Sequence, residues 1–251
     1  MARIELRDAT IYIQDGLSGS ATINEATPAT SDTDVDINTV VLNMTDTDLV
    51  PVGARFTVNT VNNVTTYTVT GRTPATTGPT TNFVFTPAWG AEVPAQSDVI
   101  TFISQRIEVK IGEGNVTWTE AKEYEYLLDR GDLDTVKEGD EQPLEVSLEF
   151  VYEHITTGTS EDITPVDALK QQSDASEWVS SSSDLCEPYA VDMIVMHCVP
   201  CGSDEDELVT FSDFRYESLE FDLGEATIAV SGRCNVSEAT AARSTITDCS
   251  A

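Results

Sequence analysis

Between Pro143 and Ile155 the chain reads PLEVSLEFVYEHI, and its side chains alternate in character with a period of two. Val146, Leu148, Phe150 and Tyr152 fall on one face, while Glu145, Ser147, Glu149 and Glu153 fall on the other. Successive side chains of a strand point to opposite sides of a sheet. The pattern therefore specifies a strand with one face in a core and an acidic face outside, and no lysine or arginine of the strand itself neutralises those acids. The same period recurs in RIEVKIGEG and in EAKEYEYLLDRG, where Tyr124, Tyr126 and Leu128 oppose Glu123 and Glu125. Later strands are expected at 189–199, 207–214, 216–224 and 226–236, with Gly224-Glu225 as a hairpin turn between the last two. One stretch alone reads as helix, TPVDALKQQSDASEWV (164–179), with Thr164 as N-cap and Pro165 at the first helical position. The chain is expected to be mainly β, a β-sandwich or partly closed barrel with one short helix.

A change of composition divides it. Residues 14–104 hold only Arg55 and Arg72 as bases, no lysine and no cysteine, and are crowded with Thr, Val and Asn. Short β-like runs there (39–44, 54–59, 65–71, 82–89 and 99–104) are separated by turn-forming segments such as PVG, VNN and TTGPTT. The polar segment 18–36 reads as a long loop. We expect a small all-β domain at 14–104, inserted into a discontinuous β-sandwich domain made of 1–13 and 105–251. Within the latter, the charged stretch 129–143 reads as a projecting loop or arm, too long for a tight turn.

The formal net charge is −31, from 44 acids against 13 bases. Gripping nucleic-acid phosphates requires Lys and Arg, so this balance argues against a nucleic-acid binder that grips phosphate and against adhesion to anionic membranes. No segment approaches the ~18 consecutive apolar residues of a membrane span. The start, MARIELRDATIYI, lacks the regions of a signal peptide and reads as a strand.

Catalytic chemistry has little support. His154 and His197 stand alone, outside any nucleophile or metal-protease pattern. The acidic runs DTDVD (32–36) and SDEDE (203–207) do not match a calcium-loop pattern and read as solvated loops. The five cysteines, Cys186, Cys198, Cys201, Cys234 and Cys249, are an odd number. Cys198 and Cys201 form a CxxC in HCVPCG, which leaves structural thiols, a disulfide, or a zinc site of Cys186, Cys198, Cys201 and Cys234 all open. No cofactor is required by any motif.

The order of parts then carries a resemblance. VKIGEGNVTWTEAKEYEYLLDRGDLDTVKEGDEQPLEVSLEFVYEHI, followed by ITPVDALK, a strand, and LEFDLGEATIAVSGRCNV, resembles tail tube proteins (major tail proteins) of long-tailed bacteriophages. The resemblance spans residues 1–13 and about 105–238. It implies a non-enzymatic virion protein, assembled in the host cytoplasm, whose copies form stacked, usually hexameric rings around a channel. Double-stranded DNA would pass through that channel without specific binding, and other tail proteins would be its further partners. On this reading Glu123, Glu125, Glu145, Glu149 and Glu153 face the lumen and repel DNA. The loop with Asp129, Arg130, Asp132, Asp134, Lys137, Glu138, Asp140 and Glu141 fixes contacts between subunits. The 14–104 insertion resembles the accessory β-domains carried on the outside of phage tails. The alternatives are another phage part (terminator, baseplate or decoration protein) or an acidic calcium-binding adhesin or surface-layer protein.

Overall fold

The structure, a computed structural model, describes residues 9–43, 49–59, 65–90, 93–111, 115–151, 163–184, 186–198 and 205–244. The fold is mainly β, with one short α-helix. Two compact units divide it: Met1–Ile13, Ile107–Thr157 and Ala190–Ala251 form one, and Gln14–Arg106 with Gly158–Tyr189 form the other.

After β1 (Ala9–Gln14) come the six strands of the second unit: β2 (Gly19–Ile23), β3 (Asp34–Leu42), β4 (Arg55–Val58), β5 (Tyr67–Thr73), β6 (Asn82–Thr86) and β7 (Val99–Ile103). They close into a barrel in the order β2-β3-β6-β5-β4-β7. Closure leaves no sheet edge open in this module. Segment 18–36 is thus not one long loop. It contains β2, whose Ala21 and Ile23 point inward, and the start of β3. The short apolar alternation was masked by Ser and Thr, and β2 is needed because it joins β3 to β7.

Rings of aromatic residues fill the barrel. Phe56 lies with its ring centroid 5.2 Å from both Tyr67 and Phe83, and Phe85 meets Trp89 in a tilted contact at 4.2 Å. All five are at most 3 % exposed.

The helical segment belongs to this unit. The sequence division placed 158–189 with the other domain; in the structure this segment groups with the barrel unit, and its described residues 163–184 and 186–189 include contacts to the barrel. Val179 is part of the barrel's apolar core. Buried Asp15 accepts from the backbone N–H of Gln105 at 2.6 Å and of Val179 at 3.3 Å. Arg72 on β5 grips Glu177 with both guanidinium nitrogens, Nη2 to Oε1 at 2.8 Å, and the Val52 N–H donates to the same carboxylate at 2.9 Å. The helix itself, α1 (Pro165–Lys170), is shorter than its pattern suggested. Thr164 caps it by accepting from the Asp167 N–H, and Gln171 at φ 50° ends it in the left-handed region. A 3₁₀ turn follows at Ser173–Ala175.

The first unit is built from β1 together with β8 (Arg106–Val109), β9 (Val116–Thr119), β10 (Lys122–Asp129), β11 (Asp132–Glu141), β12 (Glu145–Val151), β13 (Val191–His197), β14 (Asp206–Asp222), β15 (Thr227–Cys234) and β16 (Thr240–Ser244). Eight of them form one sheet in the order β8-β1-β13-β14-β15-β12-β9, with β16 also paired to β14. The two runs read as separate strands at 207–214 and 216–224 are a single strand, β14. A register shift between Tyr216 and Ser218 lets it continue past the point where its pattern breaks. β10 and β11 stand apart as a two-stranded hairpin.

Candidate functional site

Strand β12 has the two faces its alternation demanded. Val146, Leu148 and Phe150 are buried, while Glu145 and Ser147 are exposed and Glu149 is half-buried. On β15 the inward residues Ile228, Val230 and Cys234 alternate with outward Ala229, Ser231 and Arg233. The register sets Glu149 and Glu220 on opposite sides of Ala229, and Ser147 and Ser218 on opposite sides of Ser231. Thr117 of β9 continues the row beyond Ser147. The result is an outer sheet face of small hydroxyl side chains and carboxylates, with a shallow groove of about 310 Å³ between Asn115, Thr117, Glu149, Ser218, Glu220 and Ser231.

This face is not uniformly negative. Arg233 stands directly opposite Glu145 and donates to it, with Nη2 at 3.0 Å from Oε1, and its other Nη lies 3.7 Å from Glu217. One end of the face is therefore charge-paired, and the acidic end is Glu149 with Glu220.

The structure separates the other expected lumen acids from this wall. Glu123 and Glu125 lie on β10, in the hairpin, because the strand beside β12 is β9. Glu153 lies outside the described residues, as do His154, Cys201 and Cys249.

The stretch read as a loop is strand β11. Asp129-Arg130-Gly131-Asp132 closes the hairpin, with Arg130 at φ 51° and Gly131 at φ 95°. Two successive positive φ values define the tight turn that matches the twist of antiparallel strands, and glycine at the second position makes it affordable. Asp132, Asp134, Lys137, Glu138, Asp140 and Glu141 are thus strand residues, all exposed. The root of the hairpin is fastened to segment 237–239: Lys122 pairs with Glu238, Ser237 donates to Glu141 at 2.8 Å, and the Ala239 N–H donates to Glu120 at 3.2 Å. Hydrogen bonding to Glu238 raises the Lys122 pKa.

Beyond that root one face of the hairpin is mostly apolar. Tyr126 pairs with Val136 and Leu128 with Leu133, and Tyr124 follows on the same side. Leu133 is 73 % exposed and Tyr126 60 %. An isolated two-stranded ribbon buries too little to be stable alone, and a contiguous exposed apolar face marks a surface meant to be covered. Sequence reasoning named the charges of this segment and missed the apolar partners of β11. The signal lay in Leu133 and Val136 facing the Tyr124–Leu128 stripe across a glycine turn.

Among the described residues, Cys186, Cys198 and Cys234 differ in state. Cys198 is in a disulfide, so it offers no thiolate to a metal, which removes it from the suggested four-cysteine set. Cys186 is an exposed free thiol. Cys234 is free and buried, its pKa pushed up to about 12 by burial and by the nearby Asp192 and Asp213. Among the described residues no three His, Cys, Asp or Glu side chains are grouped to hold a metal ion, and no helix is long and apolar enough to cross a membrane.

No family model, no curated protein and no solved structure matches the chain.

Proposed function

We propose that this chain is a structural virion protein whose copies assemble into stacked rings, forming a tail tube through which double-stranded DNA passes. The observation that carries this reading is the β10–β11 hairpin, with Tyr124, Tyr126, Leu128, Leu133 and Val136 uncovered on one face. Its occupant is a second copy. Arg130 and Lys137 are among only 13 bases in a chain of net charge −31, and they sit on this arm. Eight carboxylates on the same arm outnumber its bases, so the apolar stripe rather than net charge is what a second copy would cover.

The sheet supports the same reading. β9 is its last strand at one end, and β13 accompanies β14 only as far as Phe214. Strands so placed on either side of β15 and β12 suit edge-to-edge pairing between neighbours in a ring, which would remove the edges and turn the Glu149–Glu220 face into part of a continuous wall. DNA bears about one charge per 1.7 Å of its axis, so a wall of hydroxyls and carboxylates holds it nowhere. The role is mechanical, with no chemistry performed on the DNA.

Sedimentation velocity and negative-stain electron microscopy of the purified chain test this. Rings that stack with a continuous lumen are expected, and Tyr126→Ser with Leu133→Ser should abolish stacking while far-UV circular dichroism stays unchanged. A monomer at every concentration overturns the reading, as does a double variant that assembles like the parent. Rings that never stack would point instead to a terminator or baseplate component.

A further inference from the structure

The 44 acids of this chain face 13 bases, and the ion pairs already occupy several of those: Arg72 with Glu177, Lys122 with Glu238, Arg233 with Glu145, Arg243 with Glu207. Some of the remaining carboxylates crowd one another. Two such places lie in different units. In the barrel unit, Asp32, Asp34 and Asp36 crowd Glu25, whose Oε2 is buried without a hydrogen-bond partner. Partial burial and these three charges raise the Glu25 pKa, the mark of a carboxylate held where a negative charge is unwelcome. In the hairpin, eight carboxylates stand against three bases, and Asp129 is placed directly opposite Asp132 at the turn. Like charges directly opposite on paired strands oppose the pairing.

Neither cluster gains from folding in dilute buffer. Screening extends over ~8 Å at 0.15 M salt, beyond the separation of cross-strand neighbours, and shrinks to ~3 Å at 1 M. A compact state strained by self-repulsion is relieved under the second condition only. We propose that this chain is built to fold in concentrated salt, with the β10–β11 hairpin and the acidic rim of the barrel reaching full stability only where molar monovalent cation screens their carboxylates. The inference concerns the folded chain itself and does not depend on its assembly.

Thermal unfolding of the full chain, followed by circular dichroism at pH 7.5 from 0.1 to 3 M KCl, tests it. The midpoint should rise by more than ~10 °C over that range, several times the few degrees expected of a weak surface effect. Sucrose at matched water activity should not reproduce the rise. The triple variant Asp34→Asn, Asp129→Asn, Asp132→Asn should melt higher than the parent at 0.1 M KCl and converge with it at 3 M. A midpoint independent of KCl overturns the proposal. A rise matched by sucrose overturns it too, because exclusion of solute would then be the cause. A triple variant with the parent's full salt dependence overturns the assignment to these two clusters.

Discussion

Arg233 donates two hydrogen bonds to a single oxygen of Glu145 across the β12–β15 pair, from Nε at 3.2 Å and Nη2 at 3.0 Å. The acid that opens the β12 alternation is neutralised from the neighbouring strand, by a residue 88 positions away in sequence. Period-two alternation says which way a side chain points and nothing about what stands beside it. The contact's energetic value is small, because Arg233 and Glu145 keep 51 % and 58 % of their side chains in water. Arg233→Gln is expected to cost under ~1 kcal/mol in urea unfolding. The loss should be larger at 0.1 M salt than at 1 M, since Glu145 and Glu217 then repel without a mediator.

The barrel's stability is concentrated at Phe56, which contacts Tyr67, Phe83, Phe85, Trp89 and Phe102. Phe56→Ala empties the centre of that cluster, and the barrel is closed on all sides, which limits collapse onto the void. A loss of ~3–5 kcal/mol is expected by denaturant unfolding. Phe56→Leu should cost distinctly less, since it restores most of the volume.

Much of the architecture was legible because burial on one face leaves a direct trace. Val146, Leu148 and Phe150 on β12 are the residues that the alternation marked as core. The Thr164-Pro165 start of α1 was legible for a similar reason, since capping is chemistry local to a few residues. Long-range pairing left no such trace. β2 was hidden because Ser20 and Thr22 diluted a pattern of only two inward residues. The place of 158–189 depended on Val179 and Glu177 meeting the barrel, a contact between segments a hundred residues apart. At the candidate site, the hairpin was missed because β11 exposes every residue and so carries no burial period at all.

The Arg72–Glu177 pair makes a prediction about acid. Burial raises the Glu177 pKa, but hydrogen bonds from Arg72 and the Val52 N–H outweigh it, and the net shift is downward from the usual 4.5. In the unfolded chain the carboxyl takes up its proton near 4.5; in the folded chain it does so at lower pH. The pair therefore contributes its full stability above about pH 4.5 and loses it as the pH falls through the lower folded value. Glu177→Gln should flatten the stability–pH curve below pH 4.5 and lower it above. The effect is modest, because 40 % of the Glu177 side chain remains exposed.

Glu149 and Glu220 flank Ala229 on the outer sheet face, and the strand register sets no base beside them there, unlike Glu145. If this face lines a DNA channel, reversing its charge should create retention where none existed. Glu149→Lys with Glu220→Lys is expected to leave the fold intact, since both side chains lie on the outer face, and to make the assembled protein hold double-stranded DNA in a filter-binding assay at 0.1 M KCl. Retention should fall steeply with salt, because the two lysines would act through phosphate contacts that release counterions. At molar salt, where screening reaches only ~3 Å, the parent wall repels DNA weakly as well. There the exclusion of DNA from the wall rests on the absence of lysine and arginine donors beside Glu149 and Glu220, with Arg233 engaged by Glu145, more than on the presence of glutamate. A neutral Glu149→Gln, Glu220→Gln variant should then release DNA as freely as the parent at 1 M KCl, and only the lysine variant should differ from it at 0.1 M.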